Sequence, residues 1–228
     1  LALVSSDQAK AKEAVSQLRG MVSHWKDRLS FVADAPQFLE PILAMRTAIL
    51  RMAENASSDL DWQVSNRSSC AGLESASTDL RELTSLGLKQ TWLRQAKSAR
   101  AAGHFESASH ALAQASVHDS YAAGLVAAKM AWEAGRPHEA ILRLQQQRKS
   151  LASLTTKGGS SQYSELMAQT LNRLARYTEE QVGDAEHEEI KRMHAEAAKC
   201  CPNTEKVHYH VGRFHDNVLA RALAVARR

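Results

Sequence analysis

The sequence predicts an all-α protein, specifically an α-α superhelix of stacked helical hairpins. Two stretches, Ala99 to Ala115 and Ala131 to Gln147, carry the same small and apolar residues at an offset of 32 positions. A glycine interrupts the helical pattern of each stretch, Gly103 in the first and Gly135 in the second, as at a turn that ends one helix. The composition agrees, because 44% hydrophobic residues with only four prolines and 5% aromatics is typical of Ala- and Leu-rich helices.

The period of this repeat is close to the roughly 34 residues of tetratricopeptide-like hairpins. A hairpin of this kind cannot bury its apolar face alone, so neighbouring hairpins must stack. Trp92 and Trp132 stand in the first helix of each hairpin and are predicted to fill the space between hairpins. The matched pairs are Ala99 with Ala131, Ala102 with Ala134, Gly103 with Gly135, Ala108 with Ala140 and Leu112 with Leu144.

Residues 1–78 are predicted to form an N-terminal helical part. Apolar residues at helical spacing indicate an amphipathic helix over Ala9 to Leu29. The next helix is expected to begin at Glu40-Pro41, because proline is tolerated in a first helical turn.

Seven serines between Asn55 and Thr78 predict a connection rather than a helix. Trp62 is the only large apolar side chain that we expect to anchor this connection. The N-terminal part would therefore end in a Ser-rich linker.

Residues 79–154 are predicted to be the repeat core, with two hairpins in four helical pieces: Gln90 to Ala102, Phe105 to Ala115, Ser120 to Ala134 and His138 to Leu151. Residues 155–161 form a predicted flexible loop, since they read Thr-Thr-Lys-Gly-Gly-Ser-Ser. Residues 162–228 are assigned three longer helices of the same superhelix: Tyr163 to Val182, Glu186 to Cys200 and Glu205 to Arg227. Asp184, and either Asn203 or Thr204, are the candidate caps.

Charge and cysteine usage limit the classes of function. The net charge of +4 comes from basic residues scattered among acidic ones, whereas nucleic-acid binding needs a concentrated patch. We therefore expect no direct nucleic-acid partner. Three cysteines, no secretory leader and no long apolar run indicate a reducing compartment and no membrane partner. Because the chain begins at Leu1, we expect it to be a piece of a longer protein.

No catalytic motif is recognised in the sequence, and we expect no enzyme activity from this chain, no cofactor and no metal. Gly158-Gly159 lacks the spacing of a phosphate-binding loop. A histidine and cysteine group near the C-terminus lacks the spacing that zinc requires, and a cysteine nucleophile has no supporting motif. The residues of the zinc group are His194, Cys200, Cys201, His208, His210 and His215. The candidate nucleophiles are Cys70, Cys200 and Cys201.

Three blocks of sequence together resemble one family. They are Trp92 to Ala108 with Ala111-Leu112 and Ala128 to Gly135; Glu40-Pro41-Ile42-Leu43-Ala44-Met45-Arg46; and Cys201 to Asp216. In these blocks the chain resembles the FAT region of the phosphatidylinositol-3-kinase-related protein kinases. The order and spacing of the blocks are most similar to the checkpoint branch that contains ATR, with the ATM branch second. Thr204 and His215 depart from the family's pattern, where tryptophan and tyrosine are usual.

The resemblance implies that the chain is a non-catalytic scaffold of a DNA-damage checkpoint serine/threonine kinase. In that family the helices wrap and regulate the kinase domain of the same chain and support assembly or dimerisation. The expected partners are that kinase domain, a second copy of the parent chain and an ATR-interacting regulatory subunit. The parent kinase would use ATP and magnesium and would act in the nucleus. Glu40, Pro41, Arg46 and Asp216 are the positions of the family motifs.

The sequence allows two further hypotheses. The first is a free-standing tetratricopeptide-like adaptor that binds a peptide in a concave groove, for which Arg94, Lys97, Arg100 and Lys129 are the candidate contacts. The second is a modification site: kinases of this family phosphorylate Ser or Thr followed by Gln, so Ser161-Gln162 is a possible self-phosphorylation site. Ser16-Gln17 also matches, but it lies in a predicted helix.

Overall fold

In the computed structural model, the described residues are 2–30, 36–66, 71–155, 161–182 and 187–227. Within these ranges the backbone forms nine α-helices and no β-strand. The all-α class is therefore confirmed. The helices are α1 (Ala2–Ser30), α2 (Pro36–Asn66), α3 (Ala71–Ala101), α4 (Phe105–His118), α5 (Ser120–Glu133), α6 (Pro137–Thr155), α7 (Ser161–Val182), α8 (His187–Cys200) and α9 (Glu205–Ala226).

The chain divides into two compact units, Leu1–Ala123 and Gly124–Arg228, with the division inside α5. None of the helices in the described ranges is both long and apolar enough to span a bilayer. The predicted domain boundaries at 78/79 and 154/155 stay predictions. The predicted loop 155–161 is shorter at its ends, because Thr155 and Ser161 belong to α6 and α7; residues 156–160 lie outside the described residues.

In the first unit, α3 packs against α1, α2 and α4. Val15 and Leu18 on α1 form a buried cluster with Leu80 on α3, and Ile49 and Leu60 of α2 pack against it. On α1, Val15, Leu18 and Val22 of this cluster are spaced three and four residues apart, which places them on one helical face. Burial of that shared face is what holds the long helices together.

The Ser-rich stretch predicted as a connection is helical in its described parts, so that prediction is wrong. Ser57 and Ser58 lie in α2, and each donates a hydroxyl hydrogen bond to the backbone carbonyl of Glu54, at 2.7 and 3.3 Å. Ser57 and Ser77 are only 1% exposed, and Ser77 bonds to the carboxylate of Asp61. Serine is tolerated here because its hydroxyl bonds back to the preceding turn and its small side chain lets α2 and α3 approach closely.

Two further expectations about α2 are corrected. The helix begins at Pro36 rather than at Glu40-Pro41, so Pro41 lies inside it and costs one backbone hydrogen bond near the helix start. Trp62 anchors nothing in the described part of the chain, since it lies in α2 with 70% of its surface exposed.

The two glycine turns have the same geometry. Gly103 and Gly135 have φ angles of 79° and 74°, in the left-handed region that glycine adopts without strain. At the first turn Gly103 N–H donates to Arg100 O at 3.0 Å, and His104 N–H donates to Ala99 O at 2.9 Å. The second turn repeats both bonds 32 residues later, at 3.0 and 2.9 Å. This pair of bonds is a Schellman motif, which satisfies the last carbonyl groups of the preceding helix.

In the second unit, α7 is the central helix and packs against α6, α8 and α9. Its Tyr177 is fully buried and stacks on Trp132 of α5. Gln147 of α6 donates to Thr170 of α7 at 3.1 Å. A Cβ at position 124 would lie 2.4 Å from the Gln147 side-chain oxygen, so Gly124 makes room for this contact.

The three predicted C-terminal helices are present with nearly the predicted limits, as α7, α8 and α9. Helix α8 ends at Cys200, directly before Cys201-Pro202, as the proline requires. Thr204 occupies the N-cap position of α9, although its side chain makes no capping hydrogen bond. Asp184, the other predicted cap, lies outside the described residues.

Candidate interaction site

A basic cavity of about 270 Å³ lies between α5, α7 and α9 of the second unit. Its wall carries Lys129, Arg173, Arg176 and Lys206, against one carboxylate, that of Glu165. Four of the 29 Lys and Arg residues of the chain thus lie around this cavity, on three helices. Such a surplus of positive charge in a concave site attracts anionic groups.

Neighbouring side chains and backbone hold these cations in place. Arg173 donates to the backbone carbonyl of Leu125 at 3.0 Å, which links α7 to α5. Arg176 pairs with Glu180 one turn further along α7, with 3.2 Å between Nε and the carboxylate, and its guanidinium lies over the Tyr177 ring at 5.3 Å. Lys129 likewise lies 3.8 Å from the carboxylate of Glu133, so Glu133, Glu180 and Glu165 offset much of the positive charge of the four cations.

His210 lines both this cavity and a smaller one of about 100 Å³ beside it. Burial lowers the pKa of His210, and the positive charges of Lys206, Arg176, Arg213 and Arg173 lower it further. Burial is the main cause of the lowered pKa, and the surrounding positive charges act in the same direction.

Two ionic contacts line the smaller cavity, Arg176 with Glu180 on α7 and Glu179 with Arg221 between α7 and α9. Glu179, 9% exposed, accepts hydrogen bonds from Asn217 and Arg221 of α9, both at 3.3 Å. Arg221 therefore contributes to packing between α7 and α9. A contact of this kind fixes α9 on α7.

His194 is buried in contact with Asn172 of α7 and Phe214 of α9. It is 4% exposed, its Nδ1 lies 3.0 Å from Asn172 Oδ1, and its ring packs on Phe214 at 5.4 Å. Burial first, then the positive charges of His210 and His215, lower the pKa of His194 to about 4. It is therefore neutral at pH 7, and Nδ1 is assigned as the donor to the amide oxygen.

The other histidines and cysteines considered as ligands do not meet His194 at one point. In the described ranges, no three His, Cys, Asp or Glu side chains converge as a metal site needs. Cys200 and Cys201 are half-buried free thiols, and burial is the main cause that raises the pKa of each. Cys70 lies outside the described residues.

The predicted repeat positions lie at helix contacts and turns. Trp92 is 7% exposed, with the Arg51 guanidinium over its ring at 5.4 Å and His110 edge-on at 6.0 Å. Ala108 and Ala140 are fully buried, whereas Trp132 is half-buried against Tyr177. Their roles in packing remain predictions for mutagenesis.

The family-motif positions divide into exposed and buried residues. Glu40, Pro41 and Asp216 are exposed, on α2 and α9. Arg46 is 8% exposed and bonds to the backbone of α1. The burial of a charged side chain at Arg46 therefore needs an explanation, whereas the exposure of Glu40, Pro41 and Asp216 does not.

The sequence predicts that Ser161 lies in a flexible loop and that the candidate adaptor contacts face one groove; the structure places both differently. Ser161 is exposed, but it is the first residue of α7 rather than part of a loop. Arg94 and Arg100 on α3 are half-buried, and only Lys97 between them is exposed. Lys129 belongs to the second unit, where it lines the basic cavity.

Several of these contacts were not visible in the sequence pattern. Arg173 and Arg176 meet Lys206 only because α9 folds back onto α7, and nothing in the spacing predicts that. Arg46 carried a usable signal, since it stands on the same helical face as Leu39, Leu43 and Leu50.

A comparison with models of known protein families identifies one family for this chain. The model described as FAT domain matches residues 3–225, which extends through both units. No solved structure matches the chain.

Proposed function

The chain belongs to the FAT domain family, a helical non-catalytic region of phosphatidylinositol-3-kinase-related kinases, and on that premise we propose that it is the scaffold of an ATR-like DNA-damage checkpoint kinase. It would hold and regulate the kinase domain of its parent chain in the nucleus. It would also support dimerisation and binding of a regulatory subunit. ATP and magnesium would be bound by the kinase domain and not by these helices.

The observation that carries this proposal is the exposed apolar surface of α9. Leu219, Leu223 and Val225 have 59%, 48% and 74% of their surfaces exposed, while the same helix buries only Val207 and Phe214. Leu219 and Leu223 are four residues apart and share a helical face. An exposed apolar face on a helix is typical of a surface that another domain covers.

The mechanism we infer is control by packing. We infer that the kinase domain contacts α9, and α9 is held against α7 through Glu179. A change in how α7 and α9 pack would then move the surface on which the kinase domain rests. Such coupling requires only that the contact be stronger in one kinase state than in another.

The test is a kinase assay on the full-length parent protein with Leu219→Asp and Leu223→Asp combined. We expect kinase activity to change at least about fivefold, as a coupling near 1 kcal/mol implies. The matched control is Leu142→Asp, because Leu142 is also an exposed leucine (54%) but lies on α6. An equal effect of the two changes, or no effect of either, would reject α9 as the contact surface.

A further inference from the structure

The first unit contains a cavity of its own, between α1, α2 and α3, which the proposed function leaves unused. Its volume is about 260 Å³, and it opens to the surface. Its large apolar lining residues are Val22, Trp25, Leu29 and Leu50, and the charged groups among its described lining residues are Arg46 and Arg94. The lining thus combines an apolar wall with positive charge and contains no carboxylate among the described residues.

Arg46 is the unusual member of this lining. It is more than nine-tenths buried, yet it makes no ion pair with any described carboxylate. Its Nη2 donates to the Trp25 backbone carbonyl at 2.6 Å, and its guanidinium lies 5.2 Å from the centre of the Trp25 ring. Its Nε–H is buried and has no hydrogen-bond partner. Burial also lowers the pKa of this guanidinium.

A buried charge of this kind is destabilising unless an opposite charge accompanies it. The carbonyl and the indole ring of Trp25 supply part of that compensation. A guanidinium has five N–H donors in a fixed plane, and a carboxylate is the group that accepts two of them side by side. The missing partner of Arg46 is therefore an acidic group.

The size of the cavity limits what can bring that group. Small-molecule and cofactor pockets usually measure about 300–1,000 Å³, and this cavity is slightly smaller. It has room for one or two side chains, and its wall offers apolar contact directly beside the guanidinium. An acidic side chain with a large apolar neighbour fits both features.

We propose that this cavity is a docking site for a partner protein, which inserts an acidic side chain against Arg46 and an adjacent large apolar side chain against Trp25, Leu29 and Leu50. The site lies in the first unit and does not depend on the α9 contact. It also gives Arg46 a role beyond the packing of α2.

The probe for this site is the dipeptide N-acetyl-phenylalanyl-glutamate amide, and its matched control is the glutamine form, which has the same shape without the charge. The 228-residue chain contains four tryptophans, so its indole N–H groups give four NMR signals, and Trp25→Phe identifies the one from the cavity. We expect the glutamate dipeptide to shift the Trp25 signal alone, with a Kd on the order of 1 mM. The glutamine form should bind at least about tenfold more weakly.

Two variants separate the cavity from general electrostatics. Arg46→Gln should weaken glutamate-dipeptide binding at least about tenfold. Arg51→Gln removes the same charge from the same helix, but Arg51 is exposed and lies over Trp92 rather than in the cavity, so binding should be retained. The Trp62 and Trp132 signals check that each variant is folded, because Arg51→Gln is itself expected to change the signal of Trp92.

Three results would overturn the proposal. They are an unshifted Trp25 signal at about 10 mM dipeptide, ten times the expected Kd; equal binding of the glutamate and glutamine forms; and equal loss in the Arg46 and Arg51 variants. The comparison of the two dipeptides uses the unaltered chain, so the test stands even if Arg46→Gln does not fold. Acetate as effective as the dipeptide would reject the apolar part of the site.

Discussion

The indole of Trp132 lies on the ring of Tyr177, with 3.9 Å between the ring centres and 6° between the planes. This stack joins α5 to α7 within the second unit. Tyr177 is fully buried, and its hydroxyl has no hydrogen-bond partner in the described structure. Burial is the main cause that raises the pKa of Tyr177. The Tyr177 ring therefore stabilises the fold by packing. Its buried hydroxyl is destabilising, because no hydrogen bond replaces the one that it makes to water in the unfolded chain.

We predict that Tyr177→Phe leaves the free energy of unfolding unchanged or raises it by up to about 1 kcal/mol, because it removes a buried hydroxyl without a partner. Trp132→Ala should lower the same free energy by about 2–4 kcal/mol, since it removes the stacked ring. Urea denaturation followed by circular dichroism measures both. A marked loss of stability in Tyr177→Phe would show that the hydroxyl has a partner.

The glycine turns give a prediction with an internal control. Gly103→Ala should destabilise the protein by about 1–2 kcal/mol, because φ is positive there while no atom lies within 4 Å of the added Cβ. Gly212→Ala also meets no atom within 4 Å but lies inside α9, so it should stabilise by about 0.5–1 kcal/mol. Melting temperatures that move in the same direction for both variants would contradict this account of the turn.

The lowered pKa of His194 implies that the stability of the protein depends on pH. The unfolded chain takes up a proton on this histidine near pH 6.5, whereas the folded chain does so only near pH 4. Protons therefore favour the unfolded state between these values, and stability is lost as the pH falls through this window. The full contribution is up to about 3 kcal/mol.

The check compares the chain with His194→Gln in urea titrations at pH 7 and pH 4.5. The glutamine keeps a donor for Asn172, and His210, whose pKa is also lowered, is present in both proteins. We expect the unaltered chain to lose more stability on acidification than the variant. Equal losses would mean that His194 titrates normally in the folded state.

Ser161 is our predicted phosphorylation site in the parent kinase. It is exposed at the first residue of α7, where a phosphate would interact favourably with the helix N-terminus. Ser16 has the same following glutamine and is also exposed, but it lies in the middle of α1. Mass spectrometry of the active parent kinase should find phosphate on Ser161 and not on Ser16; phosphate on Ser16 alone would reverse the assignment.

The fold was predictable where the residues act locally. Gly103 and Gly135 need a positive φ wherever they occur at a helix end, and Cys201-Pro202 ends α8 for steric reasons, so both features follow from the sequence. The helical state of the Ser-rich stretch was not predictable, because helix propensity gives no sign that Ser57 and Ser77 are buried between α2 and α3. Tertiary packing overrides propensity in such places.

The candidate sites were less predictable than the fold. The unpaired Nε of Arg46 and the ring stack of Trp132 on Tyr177 depend on how separate helices pack, and residue spacing does not encode that. The exposed motif residues Glu40 and Asp216 were named by resemblance alone, and their function depends on partners. The sequence therefore identifies the family, while the geometry identifies the surfaces to test.

The most direct test of the scaffold is hydrogen–deuterium exchange of α9 in two proteins, the 228-residue chain alone and the full-length parent kinase. If the kinase domain covers the exposed face of Leu219 and Leu223, backbone amides of the C-terminal half of α9 exchange at least about tenfold more slowly in the parent protein. Helix α6, with its exposed Leu142, is the internal reference. Equal exchange of α9 in both proteins would contradict the claim that these helices position a kinase domain.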